Sequence, residues 1–497
     1  MNRTTQSLIA VVVALGAVTG FAAFSGPDGT GGDGAKAAAR LPVERTSLLC
    51  PVPSASDLAE TSYTAFTPKS SGAESKGKAE LLPVSRALTD AAKQEDKKNA
   101  KPFLKQKAPG EPVAGEESGA ESPALIGTAD GRFAPGWTVQ QTTTYAAGSG
   151  RGVQGTNCTA PDTDFWFPGA STVKDRSDYI HLTNPDDSAA VVDVELFGPD
   201  GEVTSAVGDS IQVQPHSSVP VLLSTLAEKQ TENLTMHVIV RSGRVAAAVQ
   251  SSDEKLGGDW LPASTDPDSS LVLPGIPKDA TSVRLVAFTP GSDDADLKIQ
   301  LVSRTGSITP AGHESLHVKS GMTAAADLGD ITKGEAGSLL LTPTEKSVPV
   351  VAALRVTRGK GSKQETAFIP ATSAVGTRAT VADNRAKGST LSLVAPGKSA
   401  KVKVTASAGT EGGSPASKTY TVKGGTTLAI TDPPVPDGLK GAYALTVEPV
   451  SGGAVYGSRM LSLPEEGIPM FTIQALPDDR GTVAVPEAER DLSVLQK

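Results

Sequence analysis

The chain has 497 residues, too many for one hydrophobic core, and about 150 residues per domain implies three or four domains. Its 46 basic and 55 acidic residues leave a net charge of −9, which excludes general attraction to nucleic acid, because binding a phosphate polymer needs concentrated Lys and Arg. With 51 glycines, 36 prolines and few helical apolar patterns, the composition favours short strands and many turns.

Arg3 precedes an uncharged run at 7–24, followed by Asp28 and Asp33, a pattern that sends the body of the chain across a membrane. Two readings of residues 1–25 stand. The run is at the lower limit for a spanning helix, which favours an uncleaved signal-anchor, while Ala23-Phe24-Ser25 offers a small-x-small site for a cleaved signal peptide. Residues 26–43 read as a Gly-rich flexible linker.

The first β-module is expected over 44–164. It holds both cysteines, Cys50 near its opening and Cys158 near its close, and an exported chain with two cysteines predicts one structural disulfide between them. Inside it, Lys93, Lys97, Lys98, Lys101, Lys105 and Lys107 are opposed over that stretch only by Glu95 and Asp96. They form a candidate foothold on anionic envelope polymer or lipid headgroups, though such a stretch is more often a solvated face.

The stretch at 283–303 sets the pattern for the rest. Two alternating apolar segments flank a Pro-Gly-Ser-Asp-Asp cluster, which reads as a β-hairpin. The same figure recurs at 179–198, at 391–407 and loosely at 63–84, with Pro68, Pro185, Pro290 and Pro396 ending the equivalent segment. This recurrence predicts three further modules, 165–265, 266–372 and 373–476, before a tail at 477–497 that is disordered or loosely docked. The predicted fold is all-β: four tandem immunoglobulin-like β-sandwich modules behind one N-terminal transmembrane or signal helix, projecting as a rod. Trp166-Phe167-Pro168, Trp260-Leu261-Pro262, Phe368-Ile369-Pro370 and Ile468-Pro469 are expected at the seams, and seam or core packing outweighs a sugar platform for Trp137, Trp166 and Trp260.

His313-Glu314-Ser315-Leu316-His317 matches the helical zinc-protease motif HExxH. That chemistry needs both imidazoles on one helix face. Here Leu316 and Val318 alternate with polar residues as in a strand, and the segment aligns with Ile211-Gln212-Val213-Gln214 and Tyr420-Thr421-Val422-Lys423, which carry no imidazole. Asp186-Asp187 and Asp293-Asp294-Asp296 fall in equivalent loops and offer carboxylates to calcium, but are also ordinary turn formers. No nucleophile elbow, Walker loop or dinucleotide fingerprint occurs. The residues nominate no catalytic group, metal, cofactor or small-molecule substrate.

The N-terminal apolar segment, the Cys50-Pro51-Val52-Pro53 opening, the passage from Cys158 ending in Trp166-Phe167-Pro168-Gly169, and Asn184-Pro185 resemble a family of uncharacterised secreted or membrane-anchored actinobacterial proteins, defined by a domain of unknown function. That resemblance implies a location and an architecture and lends no catalytic residues. The function expected is a non-catalytic extracytoplasmic scaffold, held at the cell membrane by its N-terminal helix or secreted, with envelope proteins as partners. A wall-polymer binding array is the alternative, and an exported hydrolase is disfavoured.

Overall fold

In a computed structural model, residues 39–70, 76–86, 101–148, 150–205 and 207–485 are described. The predicted signal or anchor, and Lys93, Lys97 and Lys98, lie outside them. The described residues are all-β and β-sandwich-like, with no α-helix and hence no helix long and apolar enough to cross a membrane. They divide into two units. The strands Ala39–Pro42 and Thr482–Val485, all but one residue of each in the smaller, make a two-stranded sheet, so part of the expected loose tail is ordered as a strand.

Residues 42–482 form the larger unit. Its strands arise from simple alternation: in Ala295–Val302, Leu297, Ile299 and Leu301 are buried while Asp296 and Lys298 point to solvent. Eight sheets face one another in pairs over four large apolar cores. Every pair uses one order. Counting eight main strands in each pair, with the two-residue Leu104–Lys105 as the fourth in the first pair, and setting aside added strands of two to four residues, one sheet runs first, sixth, third, fourth, and the facing sheet runs fifth, second, seventh, eighth. In the third pair these are Leu271–Ile276, Gly337–Pro343, Ala295–Val302 and Ser315–Val318, facing Thr323–Gly329, Ala280–Phe288, Val351–Lys360 and Lys363–Pro370.

This order departs from the constant-type immunoglobulin sheet, in which the first strand lies beside the second. It also corrects the hairpin reading. Ala280–Phe288 and Ala295–Val302 do not pair; they lie in opposite sheets, and the same holds for Arg176–Asn184 with Ala190–Gly198 and for Ser389–Ala395 with Ala400–Gly409. The Pro-containing loop is therefore an arch between sheets that pack about 10 Å apart, and both segments alternate because both face the same core.

The disulfide Cys50–Cys158 joins the end of the opening strand Arg45–Cys50 to the residue after Gly152–Asn157, inside the first core. The tryptophan motifs do not share one position. Trp166 lies in an opening strand, Asp164–Ala170, Trp260 in the closing strand Gly257–Leu261, and Ile468-Pro469 precedes a closing strand.

Candidate functional site

The last strand of each sheet pair, Gly152–Asn157, Gly257–Leu261, Lys363–Pro370 and Phe471–Ala475, touches its counterparts in a closed cycle: first with second, second with third, third with fourth, and fourth with first. In a rod only neighbours in sequence would meet. Contact between the first and fourth pairs overturns that expectation, and Arg378 Nη1 donating to Ser70 Oγ at 3.2 Å joins the same two.

At the centre, Asp259 Oδ1 accepts from the Gly155 amide at 3.0 Å and from Thr472 Oγ1 at 3.0 Å, tying the first, second and fourth closing strands together. Gln474 Nε2 donates to Thr472 Oγ1 at 2.7 Å. A side chain at Gly155 would run into Gln474 and Thr472, so this approach of strands requires glycine. Burial holds the Asp259 carboxyl well above the usual carboxylate range, against the pull of the Gly155 and Thr472 donors and of the Trp260 amide at 2.8 Å. Toward one end Arg151 Nε donates to Glu365 Oε1 at 3.0 Å, yet burial still pushes Glu365 up to about 7. Such a cluster positions strands, since its hydrogen bonds run from one closing strand to another.

The seams flanking this axis differ in chemistry. Between the second and third pairs, Trp166, Phe288 and Val351 pack with Phe197. Val272, Val302 and Val394 join the third and fourth, and Phe66, Ala382 and Ala444 the fourth and first. The seam between the first and second is polar: Gln250 Nε2 donates to Gln154 Oε1 at 2.9 Å and to the Pro53 carbonyl at 3.1 Å, and Tyr145 Oη donates to that carbonyl at 3.2 Å.

His181, 5% exposed, lies beside Trp260 with ring centroids 5.3 Å apart. Burial lowers its pKa to about 4. Because the folded value lies below the unfolded one, the neutral ring adds stability that is fully present above pH 6.5 and is lost as pH falls toward 4, about 3 kcal/mol in all. Denaturant unfolding at pH 7 and pH 4 should therefore show a smaller acid loss for His181→Gln than for the wild type.

The remaining sequence candidates fall elsewhere. HExxH is not helical: His313 follows a turn and His317 lies on the strand Ser315–Val318, with Val318 opposite Ala295 and His317 opposite Asp296. The aligned segments keep that register, Val213 opposite Ala190 and Val422 opposite Ala400. His317 Nδ1 bonds Asp296 Oδ1 at 2.8 Å. The loop carboxylates meet basic side chains, Asp186 with Arg244 at 2.9 Å, Asp187 with His216 at 2.6 Å and Asp293 with Lys346 at 2.7 Å. Among the described residues no three metal-ligating side chains converge. Lys101, Lys105 and Lys107 are exposed, Lys105 on the two-residue strand Leu104–Lys105.

Sequence reasoning missed the axis and one cleft. Polar residues interrupting the closing strands, Gln154, Asp259, Glu365, Thr472 and Gln474, were the available signal. The cleft, about 460 Å³, lies between the outer face of the first pair's Gly152–Asn157 sheet and the fourth pair, with Glu60, Glu116 and Thr142 on one wall and Arg385 and Leu463 on the other.

A family model described as "Family of unknown function (DUF5719)" matches residues 113–433. That is well over half of the chain, which therefore belongs to this family. No curated protein matches it.

Proposed function

We propose that the chain is a non-catalytic extracytoplasmic envelope protein whose four sheet pairs are copies of one module, assembled as an interaction scaffold and held at the membrane by residues 1–25 or released by their cleavage. The observation that carries this reading is the cycle of closing strands around Asp259, which supports one rigid platform built from repeated units and uses its buried polar groups for assembly. The Cys50–Cys158 disulfide supports the location, since disulfides persist in oxidising compartments. Thiol trapping in intact cells tests it: the two cysteines should resist alkylation until reduced and should fractionate with the envelope. Free thiols in the cytoplasmic fraction would sink the proposal.

Wall-polymer binding is the second reading, favoured by the exposed Lys101, Lys105 and Lys107, which have no ion-pair partner among the described residues. Retention on purified cell wall that disappears when these lysines are changed to Glu would move the assignment to it; absence of retention leaves protein partners.

A further inference from the structure

A second cleft, about 390 Å³, lies at one end of the second sheet pair, and the scaffold reading does not use it. Two loops wall it, 171–175 ahead of the strand Arg176–Asn184 and 226–233 ahead of Leu234–Ser242. Hydrogen bonds lock these loops together: the Thr172 amide donates to the Thr231 carbonyl at 3.0 Å, and the Thr231 amide donates to Thr172 Oγ1 at 2.9 Å. The walls are therefore preformed.

The lining is basic. Lys174 and Lys229 line the cleft without an ion-pair partner among the described residues, and Glu228 is the one acid that lines it with them. Asp175, next in the loop, is engaged by Lys255 at 3.2 Å. Exposed lysines alone would be an ordinary solvated face. A second, independent feature is Arg176, which lines the same cleft although its side chain is only 3% exposed. Its Nε and Nη2 are spent on Asp178, Ser251 Oγ and the Gly169 carbonyl. Nη1 has no hydrogen-bond partner and is not sealed from solvent, so the exposed part of this guanidinium is a free donor, held rigidly by the bonds of its other two nitrogens.

The arrangement selects the anion. A planar carboxylate is gripped best by two parallel N–H bonds from one guanidinium. Asp178 already occupies that fork, so the cleft offers single donors from separate elements, Arg176 Nη1 and two ammonium groups. Such donors suit an oxyanion whose oxygens diverge, and lysines serve phosphate as point charges. With Arg176 offset by Asp178, two lysines against one glutamate leave a net charge of 2 − 1 = +1.

We propose that this cleft binds a phosphate group, its oxygens accepting from Arg176 Nη1, Lys174 Nζ and Lys229 Nζ. A free phosphate ion and a phosphate monoester share this chemistry. Calorimetric titration of the full chain at fixed ionic strength with inorganic phosphate, with glycerol 3-phosphate and with acetate tests the site and separates its sources. Saturable binding of either phosphate, with acetate weaker by about tenfold or more, is expected; the tighter phosphate identifies the source. Lys174→Gln/Lys229→Gln should weaken that binding by about tenfold or more, and added salt should weaken it further. Both lysines are exposed, so the melting temperature of this double variant should stay unchanged. Lys298→Gln, which removes the same charge from a strand of the third pair, should leave binding as it was. Arg176→Met/Asp178→Leu removes the buried donor together with its counter-charge and should weaken binding several-fold; if that variant does not fold, the lysine variants carry the test. Wild-type affinity in the lysine double variant, an equal loss in Lys298→Gln, acetate bound as tightly as phosphate, or no saturable binding of either phosphate would overturn the assignment.

Discussion

Replacing Arg176 by Met is expected to cost about 3–5 kcal/mol, because it strands a buried carboxylate. Arg176 and Asp178 are paired in the second core, with side chains 3% and 0% exposed, and the guanidinium grips the carboxylate through Nε–Oδ1 and Nη2–Oδ2, each at 2.8 Å. The same guanidinium donates to Ser251 Oγ and to the Gly169 carbonyl, both at 2.8 Å, while the Ser171 amide donates to Asp178 at 2.9 Å. Burial pushes the Asp178 carboxyl up and Arg176 is the strongest influence pulling it back, so losing Arg176 leaves the charged form without its main support. The double variant Arg176→Met/Asp178→Leu removes both charges and should recover most of the loss. Urea unfolding of the two single variants and the double one measures the coupling; additive losses would show that the pair does not act as a unit. Arg176 also lies over the Phe368 ring at 5.4 Å, in the third closing strand, so its loss should loosen that seam as well.

Alternation made the strands legible and left their partners hidden. In 283–303 it identified the inward residues correctly, Val283 and Leu285 before the loop and Leu297 and Ile299 after it, since all four are buried in one core. It did not reveal whether the two segments pair side by side or face each other, because either arrangement buries one side of each. Loop length held that information: Pro290 lies in a six-residue connection, 289–294, long enough to cross between sheets and too long for the two-residue hairpin turn. The repeat alignment succeeded where the motif misled, because its register, Val213, Val318 and Val422 opposite Ala190, Ala295 and Ala400, is a packing requirement that each copy meets.

The rod expectation failed for a physical reason. Short, Pro-ending linkers describe how one copy follows the next, and nothing local records that a first copy meets a fourth. That contact depends on residues hundreds of positions apart, such as Gly155 and Thr472, whose hydrogen bond at 3.1 Å is a tertiary event. The cleft between the first and fourth pairs was hidden for the same reason: Glu60, Glu116 and Thr142 meet Arg385 and Leu463 only through that contact.

Removing the disulfide is expected to be the largest single change to stability, and its spread through the molecule distinguishes the cycle from a rod. Cys50 and Cys158 are 108 residues apart, and freeing a loop of that length should cost about 4–5 kcal/mol in the chain-entropy model. In a rod that loss would stay in the first sheet pair, which would melt alone while the other three kept their own transitions. Here Cys158 directly follows Gly152–Asn157, the closing strand whose Gly155 amide donates to both Asp259 and Thr472. Val153 of that strand also packs against Leu461 and Met470 of the fourth pair. Loosening it therefore removes supports from the second and fourth pairs together. Calorimetry of Cys50→Ala/Cys158→Ala should show the transitions of the larger unit moving down in concert, and a reducing agent should do the same to the wild type. A first transition that falls while the rest hold their temperatures would show that the axis carries no stability between the copies.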